Sequence, residues 1–142
     1  MTISNKLLGD AGEHYVAYRL AMLGINPALL STNSKGADIL ATNTGKNVVS
    51  IQVKTSSGRN APMQWDLGKH RPDPSEIFFY IFLNLWDDHT REIECFIVPS
   101  NYIADENNVN WSTSRPQFKL SKKNKADFLN RWDLIEAQLP IQ

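Results

Sequence analysis

The residues with chemical potential in this chain of 142 residues are Glu13, Asp38, Gln52 and Lys54. Gln52 and Lys54 lie in Val48-Val49-Ser50-Ile51-Gln52-Val53-Lys54-Thr55, which alternates as a strand. Period two sends Val49, Ile51, Val53 and Thr55 to one face and Val48, Ser50, Gln52 and Lys54 to the other. Ala37 to Thr42 reads as a second strand, and Asn43 to Asn47 between them has turn chemistry, which makes a β-hairpin. A loop folded symmetrically about Gly45 pairs positions that sum to ninety, setting Thr42 opposite Val48 and Asp38 opposite Gln52. Opposed residues share a face, and a diagonal neighbour is within reach of a long side chain, so Asp38, Gln52 and Lys54 converge. A slip of one residue would turn Asp38 to the apolar face. A carboxylate, an amide oxygen and an ammonium together suit hydrolysis assisted by a hard divalent cation. Magnesium, or manganese in its place, takes oxygen ligands and is held by one or two carboxylates plus substrate phosphate. Lys54 would act on the attacking water or on the phosphate.

The elements that must position these residues follow the chain. A helix is expected from Asn5 to Leu23, with Ser4 as N-cap, Gly24 as terminator and Ile25 packing back beyond it. Leu8, Ala11, Tyr15, Tyr18 and Met22 have the spacing of a buried stripe, and Val16 and Leu20 form a second apolar row that includes Glu13. A carboxylate on such a row is costly unless it is paired, bound to a cation or at the solvent edge. Ile25 to Leu30 reads as an edge strand, since Pro27 is tolerated there. Ile77 to Trp86 is a nearly continuous apolar run, as expected of a strand buried on both faces inside the sheet. Asp87 to Thr90 is a turn and Glu92 to Val98 the returning strand. Ser100 caps a short helix through Asp105, Asn107 to Phe118 is a loop with Trp111 as a packing anchor, and Ser121 starts a helix to about Leu139. Phe128, Trp132, Ile135 and Leu139 form its apolar face. Lys122, Lys123 and Lys125 at its start oppose the helix dipole, which weakly favours an anionic partner.

Asp38, thirteen residues, then Gln52-Val53-Lys54 resembles the PD-(D/E)xK nuclease signature in a variant with Gln at the middle position. Glu13 stands where that superfamily often has a further acid. The order of residues is similar to archaeal Holliday-junction resolvases and Mrr-like restriction nucleases, over about residues 5–56. Ala37 replaces the nominal Pro, and Gln52 replaces an acid, removing one negative charge from the site. The resemblance implies a restriction-endonuclease-like α/β fold, a mixed β-sheet flanked by helices with the hairpin at its active edge. It implies a metal-dependent DNA endonuclease, with Mg2+ or Mn2+ held by Glu13, Asp38, the Gln52 side-chain oxygen and the Val53 backbone carbonyl. Glu13, Asp38, Gln52 and Lys54 would be the catalytic set, and a homodimer would cut both strands. The alternative is a catalytically inactive nuclease-fold module that binds DNA or protein; a nucleotide or RNA hydrolase would use the same site.

Composition sets the remaining bounds. The length fits one domain over residues 1–142, and no apolar run approaches a membrane span. No signal peptide is read, so a cytoplasmic location is expected. Cys95 has no partner for an internal disulfide or a zinc site and reads as core; His14, His70 and His89 lack ligand spacing. The formal net charge is zero, which alone argues against an obvious nucleic-acid binder. Basic residues nevertheless concentrate in Lys54 to Arg71 and Arg115 to Arg131, with an acidic block from Asp73 to Glu106 between them. This pattern fits either a polarised molecule or an ordinary solvated surface. Lys35, Arg59, Gln64, Lys69 and Arg71 are the candidate nucleic-acid contacts, in loops rich in Gly and Pro whose charges solubility explains nearly as well.

Overall fold

The computed structural model describes residues 3–31, 36–59, 63–86 and 91–140. Lys35 and the expected turn at Asp87 to Thr90, with His89 in it, lie outside the described residues. The first helix, α1 (Asn5–Met22), begins where Ser4 Oγ accepts the Leu7 N–H, and ends in a Schellman turn. Ile25 N–H donates to Leu20 O and Gly24 N–H to Ala21 O, with Gly24 at φ 79°, where a side chain would be strained. Ile25 is buried just beyond. The expected stripe is out of phase. Leu8, Gly12, Val16 and Leu20 are the buried residues of α1, whereas Tyr18 and Met22 are 56% and 71% exposed. The reason is Gly12, whose position would put a Cβ into the Thr55 side chain on the sheet below. Glycine here permits the close approach, so the contact line runs through a residue with no hydrophobic side chain. Glu13 flanks that line and is half-buried.

Strands β1 (Asn26–Leu29), β2 (Ile39–Thr42), β3 (Val48–Ser56), β5 (Phe78–Asn84) and β6 (Glu94–Pro99) form one mixed sheet in the order β1-β2-β3-β5-β6. β4 (Gln64–Asp66) and β7 (Gln117–Lys119) form a separate two-stranded sheet. β1 is an edge, as Pro27 requires, and β5 runs parallel to β3. The hairpin has the expected register, with Thr42 opposite Val48 and Ile39 opposite Ile51. Asn43 fixes its loop: Oδ1 accepts the Gly45 N–H, while Nδ2 donates to Leu139 O. The hairpin is interior rather than at an edge, because β1 covers β2 and β5 covers β3.

Each sheet face has its own core. On the α1 side, Val16 and Leu20 pack with Val49, Ile51, Ile81 and Ile135. On the other, Trp65 of β4 and Phe118 of β7 close over Phe82 and Phe96, with Phe82 and Phe118 stacked at 4.4 Å between ring centroids. Trp65 Nε1 donates to Leu83 O, fastening the small sheet to the large one. The segment expected as loop to Phe118 therefore ends in β7.

Three further expectations are corrected. The short helix α2 (Ser100–Ala104) follows Pro99, and Ser100 makes no capping bond; its hydroxyl donates to Ser75 O and accepts the Ser75 N–H. The single helix expected from Ser121 is two short ones, α3 (Lys125–Phe128) and α4 (Asp133–Glu136). Between them Leu129 bridges Phe96, Asn130 adopts φ 53° and its N–H donates to Cys95 O. This break lets Phe128 join the core on one face while Trp132, Ile135 and Leu139 join the other. A continuous helix has one apolar stripe and could not reach both. The lysines at its expected start therefore do not oppose a long helix dipole, and Lys125 pairs with Glu94 at 2.8 Å. No helix among the described residues is long and apolar enough to cross a membrane.

Candidate active site

β2 starts only at Ile39, opposite Ile51, while β3 runs on to Ser56, so among the described residues the part of β3 beyond Ile51 has no strand beside it on that side. Asp38 fills the gap. Its backbone N–H donates to Ile51 O at 2.8 Å, and its side chain takes the place of further ladder bonds: Oδ2 accepts the Val53 N–H at 2.8 Å and Gln52 Nε2 at 3.0 Å. The hairpin register thus delivers the convergence of Asp38 with Gln52 that the loop count implies. The Gln52 amide presents nitrogen to Asp38, which leaves Oε1 as its lone-pair donor.

Gln52 lies beside Tyr80 and Lys54 beside Phe82 across the parallel β3–β5 pair. Both belong to the face covered by the small sheet, which is why the Lys54 stem is buried. Burial holds its ammonium below the ordinary lysine pKa, opposed by the negative charges of Asp38 and Asp66. Asp38 is shifted upward, first by burial, against the Val53 N–H and Lys54, which favour its charged form. Glu13 is also raised, by burial and then by the negative charge of Asp38, which places the two carboxylates in one electrostatic field. Two partly desolvated acids, Glu13 raised further by the charge of Asp38, with the neutral amide oxygen of Gln52 beside Asp38, offer oxygen donors of the kind a hard cation takes. Among the described residues no three His, Cys, Asp or Glu side chains form a metal-binding cluster. A cation bound here would therefore have at most two acids and otherwise neutral oxygens to hold it.

Two clefts flank Lys54. The larger, about 800 Å³, is lined by Ser50, Gln52, Lys54, His70, Arg71 and Tyr80 among others. The smaller, about 480 Å³, lies toward β4 and includes Gln64, Asp66, Arg115 and Gln117. Asp66 is the residue that the sequence reading missed. It accepts from Gln117 Nε2 and Arg115 Nη2, each at 2.7 Å, and these bonds hold its pKa below the usual carboxylate value. The only signal for it in the sequence is the polar-apolar-polar pattern of Gln64-Trp65-Asp66 and of Gln117-Phe118-Lys119, the two partners of β4 and β7.

The candidate nucleic-acid contacts are dispersed. Arg59 is exposed past the end of β3, Lys69 is exposed, and Lys35 is outside the described residues. Arg71 lines the larger cleft, but its Nε donates to Ala104 O and its Nη1 pairs with Glu106, both at 2.8 Å. It fastens the cleft wall.

No protein-family model and no curated protein matches the sequence. Solved structures do match in shape. A bacterial homing endonuclease superposes with a TM-score of 0.64 at 13% identity, covering 96% of this chain and 95% of that one. A Holliday junction resolvase from the archaeal hyperthermophile Archaeoglobus fulgidus superposes with a TM-score of 0.56 at 12% identity, covering 94% and 98%. The chain shares the restriction-endonuclease-like fold with these structures, a mixed five-stranded sheet flanked by helices.

Proposed function

We propose that the protein is a metal-dependent DNA endonuclease that hydrolyses phosphodiester bonds at Asp38, Gln52 and Lys54. The observation that carries this reading is the junction at the start of β2, where Gln52 Nε2 and Val53 N–H converge on Asp38 Oδ2 with Glu13 and Lys54 in the same field. Asp38, Glu13, Gln52 Oε1 and Val53 O would hold Mg2+ or Mn2+, which when bound supplies Lewis-acid polarisation of the phosphate and a more acidic water. Asp38 is oriented by its two N–H donors, so its second oxygen is directed to the site. Lys54, its ammonium made easier to deprotonate by burial, holds or takes the proton of the attacking water and faces the charge that develops on the phosphate. Glu13 orients that water. The exposed apolar side chains Leu7, Tyr18 and Met22 on α1 are in keeping with a homodimer, and a cytoplasmic location suits the DNA substrate.

One observation favours a second reading, an inactive nuclease-fold module that binds DNA or protein. Gln52 brings no negative charge and occupies one Asp38 oxygen as a donor. A cleavage screen with magnesium and manganese on branched, linear and supercoiled DNA separates the two. The wild type should cut at least one substrate, and Lys54→Ala should lower the rate by about 10²–10⁴-fold, the usual share of a general acid or base. Metal binding should survive in that variant and be lost in Asp38→Asn. No metal-dependent cleavage on any substrate would leave the binding module.

A further inference from the structure

The larger cleft has a composition that phosphate binding alone does not explain. Its floor is aromatic: Phe78 and Tyr80 stack at 5.3 Å between centroids with planes 24° apart, on the same strand face as Gln52 and Lys54. Leu67 and Ile77 add apolar walls, and His70 and Arg71 stand at the polar side. About 800 Å³ lies within the roughly 300–1,000 Å³ typical of sites for organic ligands, which are apolar with a few placed polar groups. The wall is built in advance. Ser100, fully buried, clamps Ser75 through two hydrogen bonds of 2.9 and 3.1 Å, and Arg71 is tied to Ala104 and Glu106.

A second observation points to an occupant. Tyr80 is only 4% exposed and lines the cleft, and its hydroxyl, which no group among the described residues engages, keeps contact with solvent there. Burial pushes its pKa up to about 12, so it stays a phenol and a donor. A hydroxyl held at the cleft by a buried ring can exchange its water for a ligand acceptor.

We infer that this cleft receives an unpaired nucleobase, stacked on Phe78 and hydrogen-bonded by the Tyr80 hydroxyl, next to the phosphate addressed by Lys54. The inference rests on the nuclease reading of that neighbouring site and adds its substrate class: DNA with an unpaired or extruded nucleotide beside the cut. A base inside a continuous duplex presents its edges, not its face, and cannot stack on a protein ring without leaving the helix.

The test compares a fully paired duplex with the same duplex carrying one unpaired nucleotide. Fluorescence anisotropy in chelator measures binding without turnover, and cleavage with magnesium is followed separately. The wild type should bind the unpaired substrate at least about tenfold more tightly, a difference within the range of stacking one base on an aromatic ring. Tyr80→Phe keeps the ring and should weaken binding of that substrate about 3–10-fold, the range of one hydrogen bond, with the paired duplex unchanged. Ile77→Ala, at a half-exposed wall position, should reduce the preference without unfolding the protein. Equal binding of both substrates, or equal loss on both in Tyr80→Phe, overturns the inference even where cleavage is robust. Selective binding without cleavage of either substrate retains the base site and overturns the nuclease reading.

Discussion

Gln52 decides how strongly the site can hold a cation. As an amide it donates to Asp38 Oδ2 and leaves a neutral oxygen, which attracts a hard cation less than a carboxylate does. Gln52→Glu should therefore tighten magnesium binding by about tenfold or more, roughly 1.4 kcal/mol, in a calorimetric titration. Activity should survive that change. Gln52→Leu keeps similar bulk and should weaken binding and slow cleavage with little change in melting temperature. A titration indifferent to both substitutions would show that Gln52 is no ligand. The position of Gln52 opposite Asp38 was legible in the sequence because a short loop about Gly45 fixes the register, and register fixes the face. Asp66 was not legible as a neighbour of Lys54. It reaches that place only through the pairing of β4 with β7, where Trp65 meets Phe118 across more than fifty intervening positions. No local spacing records such a contact.

For helix α1 the deciding contact is made by a residue without a side chain. Gly12 sits over Thr55, so Gly12→Ala should destabilise the fold by about 1–3 kcal/mol, the usual effect of forcing extra volume into a packed contact. Gly9 is the control: a Cβ there meets nothing within 4 Å. Gly9→Ala should stabilise by about 0.5–1 kcal/mol through helix propensity. Chemical unfolding of the two variants checks both signs, and equal effects would mean that Thr55 yields to the added methyl. The same contact explains why the buried stripe was misphased from the sequence. Periodicity counts apolar side chains, and Tyr15, Tyr18 and Met22 outweigh a glycine in such a count. The strands were more legible, since alternation in β3 and the continuous apolar run of β5 match their burial on one and on both faces. The C-terminal helix was misread for a related reason. Phe128, Trp132, Ile135 and Leu139 keep helical spacing, but the turn at Asn130 divides them between two faces of the sheet.

Across the whole molecule, charge is cross-linked more than polarised. Arg71 pairs with Glu106 and Lys125 with Glu94, so the basic segments meet the acidic block on the surface. Among the described residues the charge that matters energetically is instead at the candidate site, where burial holds Glu13 and Asp38 both above the ordinary carboxylate range. A carboxylate whose folded pKa is raised contributes stability that is present below the unfolded pKa and lost as pH rises through the folded one. Asp66 and Asp133, held low by Arg115, Gln117 and Arg131, contribute with the opposite sign, so the pH slope of the wild type alone mixes the two. The double variant Glu13→Gln, Asp38→Asn isolates the first effect. In chelator its melting temperature should gain on the wild type as pH rises from about 4 through the raised carboxylate values, then hold that advantage at neutral pH. Magnesium should reverse the order. A cation that binds only the deprotonated pair should stabilise the wild type at pH 7 by about 2.7 kcal/mol at a hundredfold excess over Kd, and scarcely at all near pH 4. The double variant should not respond at either pH. A magnesium response that persists in the double variant would move the metal away from Glu13 and Asp38, whatever the cleavage assays find. A wild type that melts no lower than the variant in chelator at neutral pH would mean that the two acids are not strained by their burial, and the physical case for a cation there would fall with it.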